Sequence, residues 1–194
     1  MDPIRARLCS RNEHKRSELA RVLEGWWIEL LDAADYPPED GATFLDNARA
    51  KAEFGRGVGP QDEWMLGEDS GLEVVALGGG PGVRSARYGS EDAGGVERLL
   101  RELEGAEDRR ARYVCELVLI GPDGRELRGS GVLEGRIAGE ARGSEGFGYD
   151  PVFIPDGEER TVAELGDAWK AQRSHRAAAA GALLQAVGSA APAR

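Results

Sequence analysis

The chain has 194 residues, 41% hydrophobic and 31% charged, a globular balance that excludes extended disorder and favours one compact domain with at most two lobes. Its 35 acidic against 25 basic side chains give a formal charge of -10, which repels a nucleic-acid backbone and argues against a polymer partner. No apolar run reaches the roughly 18 residues of a membrane span and no signal-peptide core opens the chain, so the expected location is the cytoplasm, with Cys9 and Cys115 as buried, reduced thiols.

Residues 4–10 read as a short strand that runs into the polar turn Ser10-Arg11-Asn12-Glu13-His14-Lys15, after which Leu19, Val22 and Leu23 recur at helical spacing. Residues 26–31 read as a second strand, and 36–41, rich in proline and acid, as a loop. Thr43 is placed to cap a helix that carries Phe44, Ala48 and Ala52 on one face, Asn47 and Lys51 on the next, and ends near Gly55. Residues 64–66 suggest a buried strand ending in Gly67-Glu68-Asp69-Ser70-Gly71, followed by a separate short strand over 72–77. The pattern then predicts a helix over 91–103, a strand over 112–120, a turn at Pro122-Asp123-Gly124 and a return strand through Val132 and Leu133. A glycine-rich loop at 143–149, a strand at 151–154 and one long alanine-rich helix over 167–187 complete a domain of residues 1–187, with 188–194 as a frayed tail. Alternating strands and helices with a late hairpin predict an α/β fold with a mixed sheet.

Five segments carry candidate chemistry, each with a plain structural reading beside the functional one. The turn from Ser10 to Lys15 presents backbone N–H groups at a helix start, which suits a phosphate; taken alone it favours an ordinary capped helix start with a solvated Lys15, and it lacks the glycine framework of a Walker A loop. Glu68 and Asp69, with Glu39 from an earlier loop, offer the hard oxygen ligands that magnesium takes, and one of them suits a general base; a solvated acidic turn is the competing reading. Gly78-Gly79-Gly80-Pro81-Gly82 with Arg84 and Arg87 bends backbone around a ligand or is a surface turn. Phe147 and Tyr149, set between glycines beside Asp150, suit a stacked planar base or a tight turn with core aromatics. Lys170, His175 and Arg176 offer N–H donors to a base edge or form a solvated helix face.

Together and in this order the segments resemble the signature of the inosine triphosphate pyrophosphatase family. The match comprises Ser10-Arg11-Asn12 with Lys15 and Glu18, Thr43-Phe44 with Asn47-Ala48 and Lys51-Ala52, and Glu68-Asp69-Ser70-Gly71-Leu72. It continues through Gly79 to Tyr88 and Gly146-Phe147-Gly148-Tyr149-Asp150-Pro151-Val152-Phe153 to Lys170 and Ser174-His175-Arg176. The resemblance implies a two-lobed single α/β domain with a long mixed β-sheet flanked by helices, a nucleotide cleft between the lobes, and a homodimer. It implies hydrolysis of non-standard purine nucleoside triphosphates (ITP, dITP, XTP) to the monophosphate and pyrophosphate, with Mg2+ as cofactor. By motif, Ser10, Arg11, Asn12, Glu13, His14, Lys15 and Lys51 would bind the triphosphate, and Ser70 would contact substrate. Asp69 would be the general base, and Glu39, Glu68 and Asp69 would lie at the metal. Phe147, Gly148, Tyr149, Asp150, Lys170, His175 and Arg176 would hold the base.

The chain departs from the commonest pattern of that family where Glu68 replaces an aspartate, Ser144 a glycine and Arg11 a glycine. Two other readings remain. A pyrophosphatase for modified pyrimidines, as in the related septum-formation-inhibitor family, is opposed by the motifs at 147–150 and 174–176. A non-catalytic nucleotide sensor would require a lost base or metal ligand, whereas Asp69 and Glu68 are both present.

Overall fold

The computed structural model describes residues 4–89 and 94–190. Six strands form one sheet: β1 (Arg5–Leu8), β2 (Trp27–Leu30), β3 (Trp64–Val74), β4 (Arg110–Ile120), β5 (Glu126–Ile137) and β6 (Phe153–Pro155), in the order β2-β1-β3-β4-β5-β6. The sheet is mixed, because β1 runs parallel to β2 and β3 whereas β5 and β6 pair antiparallel. Among the described residues five α-helices accompany it: α1 (Glu13–Val22), α2 (Phe44–Val58), α3 (Gly95–Glu102), α4 (Val162–Arg173) and α5 (His175–Ala190). The described residues fall into two units, one drawn from 4–69, 115–131 and 176–190, the other from 70–89, 94–114 and 132–175.

In the first unit, Leu8, Leu19, Leu23, Ile28, Leu66, Leu117, Leu119 and Leu183 are buried together. Each such side chain contributes about 1.5–3 kcal/mol by leaving water. Helix starts are specified locally. Asn12 caps α1 by accepting from the backbone N–H groups of His14 and Lys15, and Thr43 with Asp46 forms a capping box at α2. In the second unit, Leu72, Val74, Leu99, Leu103, Tyr113, Ile137, Val152, Phe153 and Val162 make the core, and Thr161 with Glu164 forms the capping box of α4.

Three expectations are corrected. Residues 67–71 are not a turn: β3 runs without interruption from Trp64 to Val74, with Glu68 and Asp69 inside it. Gly-Glu-Asp-Ser-Gly has turn-forming composition, but α2 lies so close to this strand that a Cβ on Gly67 would collide with the carbonyl oxygen of Ala48. The glycine serves close packing here. The long C-terminal helix is two helices, because Ser174 adopts extended backbone (φ -69, ψ 162) and its N–H closes α4 on the Lys170 carbonyl at 3.1 Å. Serine competes with helical hydrogen bonding and favours helix ends, which alanine-rich composition on both sides conceals. Lastly, α2 continues to Val58 and α5 to Ala190, beyond the expected ends. The expected helix start at residues 91–93 and the tail at 191–194 lie outside the described residues. Among the described residues no helix is long and apolar enough to cross a membrane.

Candidate active site

The first unit gathers charged side chains that ordinarily stay in water. Glu68 is 0%, Asp69 5%, Lys51 6% and Arg176 4% exposed. Burying such groups unpaired would cost several kcal/mol each, and the structure pairs every one. Lys51, on α2, places Nζ 2.9 Å from Asp69 Oδ1, 2.5 Å from Glu39 Oε1 and 3.0 Å from the Glu68 carbonyl oxygen. Asn47, one turn earlier on the same helix, donates Nδ2 to Asp69 Oδ2 at 2.9 Å and accepts from Gly41 N–H at 2.8 Å. Both oxygens of Asp69 are therefore held, and the carboxylate has a fixed orientation.

Glu68 points elsewhere, as alternation along a strand requires. Its Oε2 lies 2.6 Å from Lys15 Nζ and its Oε1 accepts from Arg176 Nε at 3.1 Å, while the Cys115 thiol donates to Oε1 at 3.7 Å. Arg176 also reaches Glu18 at 3.0 Å. A continuous network of acids and bases thus joins α1, β3 and the first turn of α5.

The two adjacent carboxylates differ in character. Burial opposes ionisation of Glu68 more than any other single influence, yet Lys15, Arg176 and Lys51 together hold it well below the usual carboxylate range. At Asp69 burial wins: its pKa is raised, against the pull of Lys51 and the Asn47 hydrogen bond. Lys51 itself is pushed down by burial, but Asp69, Glu68 and Glu39 outweigh this and keep it charged. Asp69 is accordingly the better proton acceptor of the pair once ionised, and Glu68 a permanent charge. Burial lifts the Cys9 thiol to about 12 and Cys115 well above the ordinary thiol range, so both act as inert core groups.

The turn from Ser10 to Lys15 is built as a cap. Asn12 N–H donates to Ser10 Oγ at 3.1 Å, and the His14 and Lys15 amides donate to Asn12 Oδ1 at 2.9 and 3.2 Å. Arg11 donates to the Ala34 carbonyl and lies over the Tyr36 ring, and Glu13 pairs with Arg16 on the exposed side. From this segment Lys15 reaches the buried network, at Glu68.

In the second unit, Asp150 is the hub. Its Oδ2 accepts from Lys170 Nζ at 2.7 Å and from Phe147 N–H at 2.8 Å, and its Oδ1 from the Tyr113 hydroxyl at 3.3 Å. Gly146 makes this possible: its φ of +78 suits glycine, and a Cβ there would strike Asp150 Oδ2. Phe147 is half-buried, with Lys170 Nζ 4.7 Å from its ring centroid. Gly148 is exposed; Tyr149 is a core aromatic whose hydroxyl donates to the Ser85 carbonyl at 2.9 Å. His175, 4% exposed, stacks on Tyr113. Ser70 follows Asp69 in β3, half-buried, and Arg84 and Arg87 are exposed on a 3-10 turn over Gly82–Arg87.

The resemblance groups Arg176 with the base-holding residues. Arg176 belongs to the first unit and its guanidinium is taken up by Glu68 and Glu18. Asn47 and Tyr113 are absent from the expected site residues. Asn47 had a visible signal, a polar residue one helical turn from Lys51 beside an apolar face. Tyr113 had none, since an aromatic in a strand is ordinarily core.

As hard oxygen donors, Glu39, Glu68 and Asp69 suit a divalent cation such as magnesium. Among the described residues no three Asp, Glu, His or Cys side chains are gathered closely enough to cage an ion.

Residues 6–186 match the model of the Ham1 family. The chain is 46% identical over 192 residues to the dITP/XTP pyrophosphatase of Opitutus terrae, covering 91% of this chain and 95% of that protein. Against the dITP/XTP pyrophosphatase of Bdellovibrio bacteriovorus it is 46% identical over 153 residues, 76% of each chain. The solved structure of a HAM1 protein from Coxiella burnetii superposes with a TM-score of 0.81 at 34% identity, covering 96% of this chain and all of that one. A family match over nearly the whole length, with a relative 46% identical over more than nine-tenths of both chains, shows that the chain belongs to the Ham1 family.

Proposed function

We propose that this chain hydrolyses inosine, deoxyinosine and xanthosine triphosphates to the monophosphate and pyrophosphate. The observation that carries the reading is Asp69: a buried carboxylate with both oxygens oriented, by Asn47 and Lys51, and its pKa raised by burial. Asp69 accepts the proton of a water that attacks the α-phosphorus, and pyrophosphate departs. Lys15 and Lys51 compensate the negative charge of the phosphates. Glu39 and Asp69, which meet at Lys51 Nζ, would hold magnesium, which when bound supplies further neutralisation of the triphosphate charge, while Glu68, facing Lys15 and Arg176, contributes as a nearby charge. In the second unit, Phe147 offers a ring to the purine, and Lys170 and His175 offer donors to keto oxygens. A donor facing a 6-amino group instead is left unpaired at about 1–3 kcal/mol, so two such contacts discriminate by orders of magnitude.

Pyrophosphate release from ITP, XTP, GTP and ATP in the presence of magnesium tests the assignment. Preference for the first two is the expected result, and equal turnover of all four overturns it. Asp69→Asn should lower kcat by about 10²–10⁴ while leaving nucleotide affinity within a few-fold. Full activity in that variant would remove Asp69 as the base. The family likeness also supports a cytoplasmic homodimer, and sedimentation velocity showing only monomer at micromolar concentration would overturn the dimer.

A further inference from the structure

Tyr113 enters no role described so far, yet it touches two of the groups assigned to the purine. It lies in β4, 6% exposed, with its ring centroid 4.6 Å from that of His175 and the planes 10° apart. Phe153 supports it, 4.5 Å away at 43°. Its hydroxyl donates to Asp150 Oδ1 at 3.3 Å, while Lys170 and Phe147 N–H donate to Oδ2. A histidine at the start of a helix has two side-chain torsions to settle. Near-parallel stacking on a buried ring restricts both, and so sets the plane in which the imidazole N–H and its lone pair point. The hydroxyl similarly restricts rotation of the Asp150 carboxylate, and through it Lys170.

We infer that Tyr113 is a positioning residue for base recognition: its ring fixes the imidazole plane of His175 and its hydroxyl fixes the carboxylate of Asp150. Discrimination between 6-keto and 6-amino purines then depends on a strand residue that acts through its neighbours. The inference rests on the assignment of His175 and Asp150 to the base, made above. It separates two contributions, since Tyr113→Phe keeps the stack and removes the hydroxyl, whereas Tyr113→Leu removes both.

The experiment measures kcat/KM for ITP and for ATP in wild type and both variants, alongside the imidazole proton resonances. The protein has two histidines, His14 and His175, and His175→Gln assigns the signals. Tyr113→Phe is expected to narrow the ITP-to-ATP ratio about fivefold, the worth of one hydrogen bond, through KM more than kcat. Tyr113→Leu is expected to narrow it further and to move the His175 resonance downfield as the stacked ring is lost, while Tyr113→Phe leaves that resonance in place. A purely structural tyrosine would lower both activities equally, so an unchanged ratio in both variants overturns the proposal. If wild type shows no preference for ITP, the function assigned above fails. The resonance still decides whether Tyr113 sets His175, and a signal unmoved by Tyr113→Leu overturns that.

Discussion

Glu68→Gln isolates the electrostatics of the buried network, because the side chain keeps its shape and loses only its charge. In the wild type that charge faces Lys15 Nζ at 2.6 Å and Arg176 Nε at 3.1 Å, at 0% exposure. Removing one partner of a buried pair typically costs about 3–5 kcal/mol. Arg176 retains Glu18 at 3.0 Å and glutamine still accepts a hydrogen bond, so the lower end, about 3 kcal/mol at pH 7, is expected. The pH dependence gives a sharper test. Glu68 is held below its ordinary value of 4.5, so the stabilisation its charge provides is complete above that pH and is lost as pH falls toward the depressed value. In that window the wild type loses stability at about 1.4 kcal/mol per pH unit relative to the variant. The gap of about 3 kcal/mol at neutral pH should therefore shrink to about half near pH 3.5. Urea denaturation followed by fluorescence of the four tryptophans measures it. Equal stability at pH 7, or a gap that stays constant down to pH 3.5, would refute the reasoning.

Two further variants test the scaffold around Asp69. Asn47→Ala removes the hydrogen bond that favours the ionised carboxylate, so the already raised pKa of Asp69 should rise further. The base must be ionised to work, hence activity falls as pH drops through that value, and the acid limb of the kcat/KM profile should move to higher pH in the variant. Gly67→Ala sets a methyl against the Ala48 carbonyl and displaces α2, which carries Asn47 and Lys51. A loss of about 2–3 kcal/mol in stability is expected, together with reduced kcat, and calorimetry with initial-rate assays checks both.

The starts of α1 and α2 were legible in the residue order, because Asn12 and Thr43 cap the backbone that immediately follows them. So was the α/β class with a mixed sheet, which follows from hydrophobic period. The course of residues 67–71 was not. Glycine, serine and acidic residues have turn-forming preferences, and only the approach of α2, with cations from three helices, makes a strand of them. The partition of the two carboxylates was hidden for the same reason: Glu68 and Asp69 are adjacent in sequence but face opposite sides of a strand, so one meets Lys15 and Arg176 and the other Asn47 and Lys51. The break at Ser174 sets His175 beside Tyr113 and leaves Arg176 to Glu18 and Glu68, although the two are consecutive residues. Sequence by itself determined which chemical groups the protein has and where α1 and α2 begin, but not the starts of α4 and α5. Only tertiary structure decided which charges are paired, because a side chain's pKa and orientation are set by neighbours brought from distant parts of the chain.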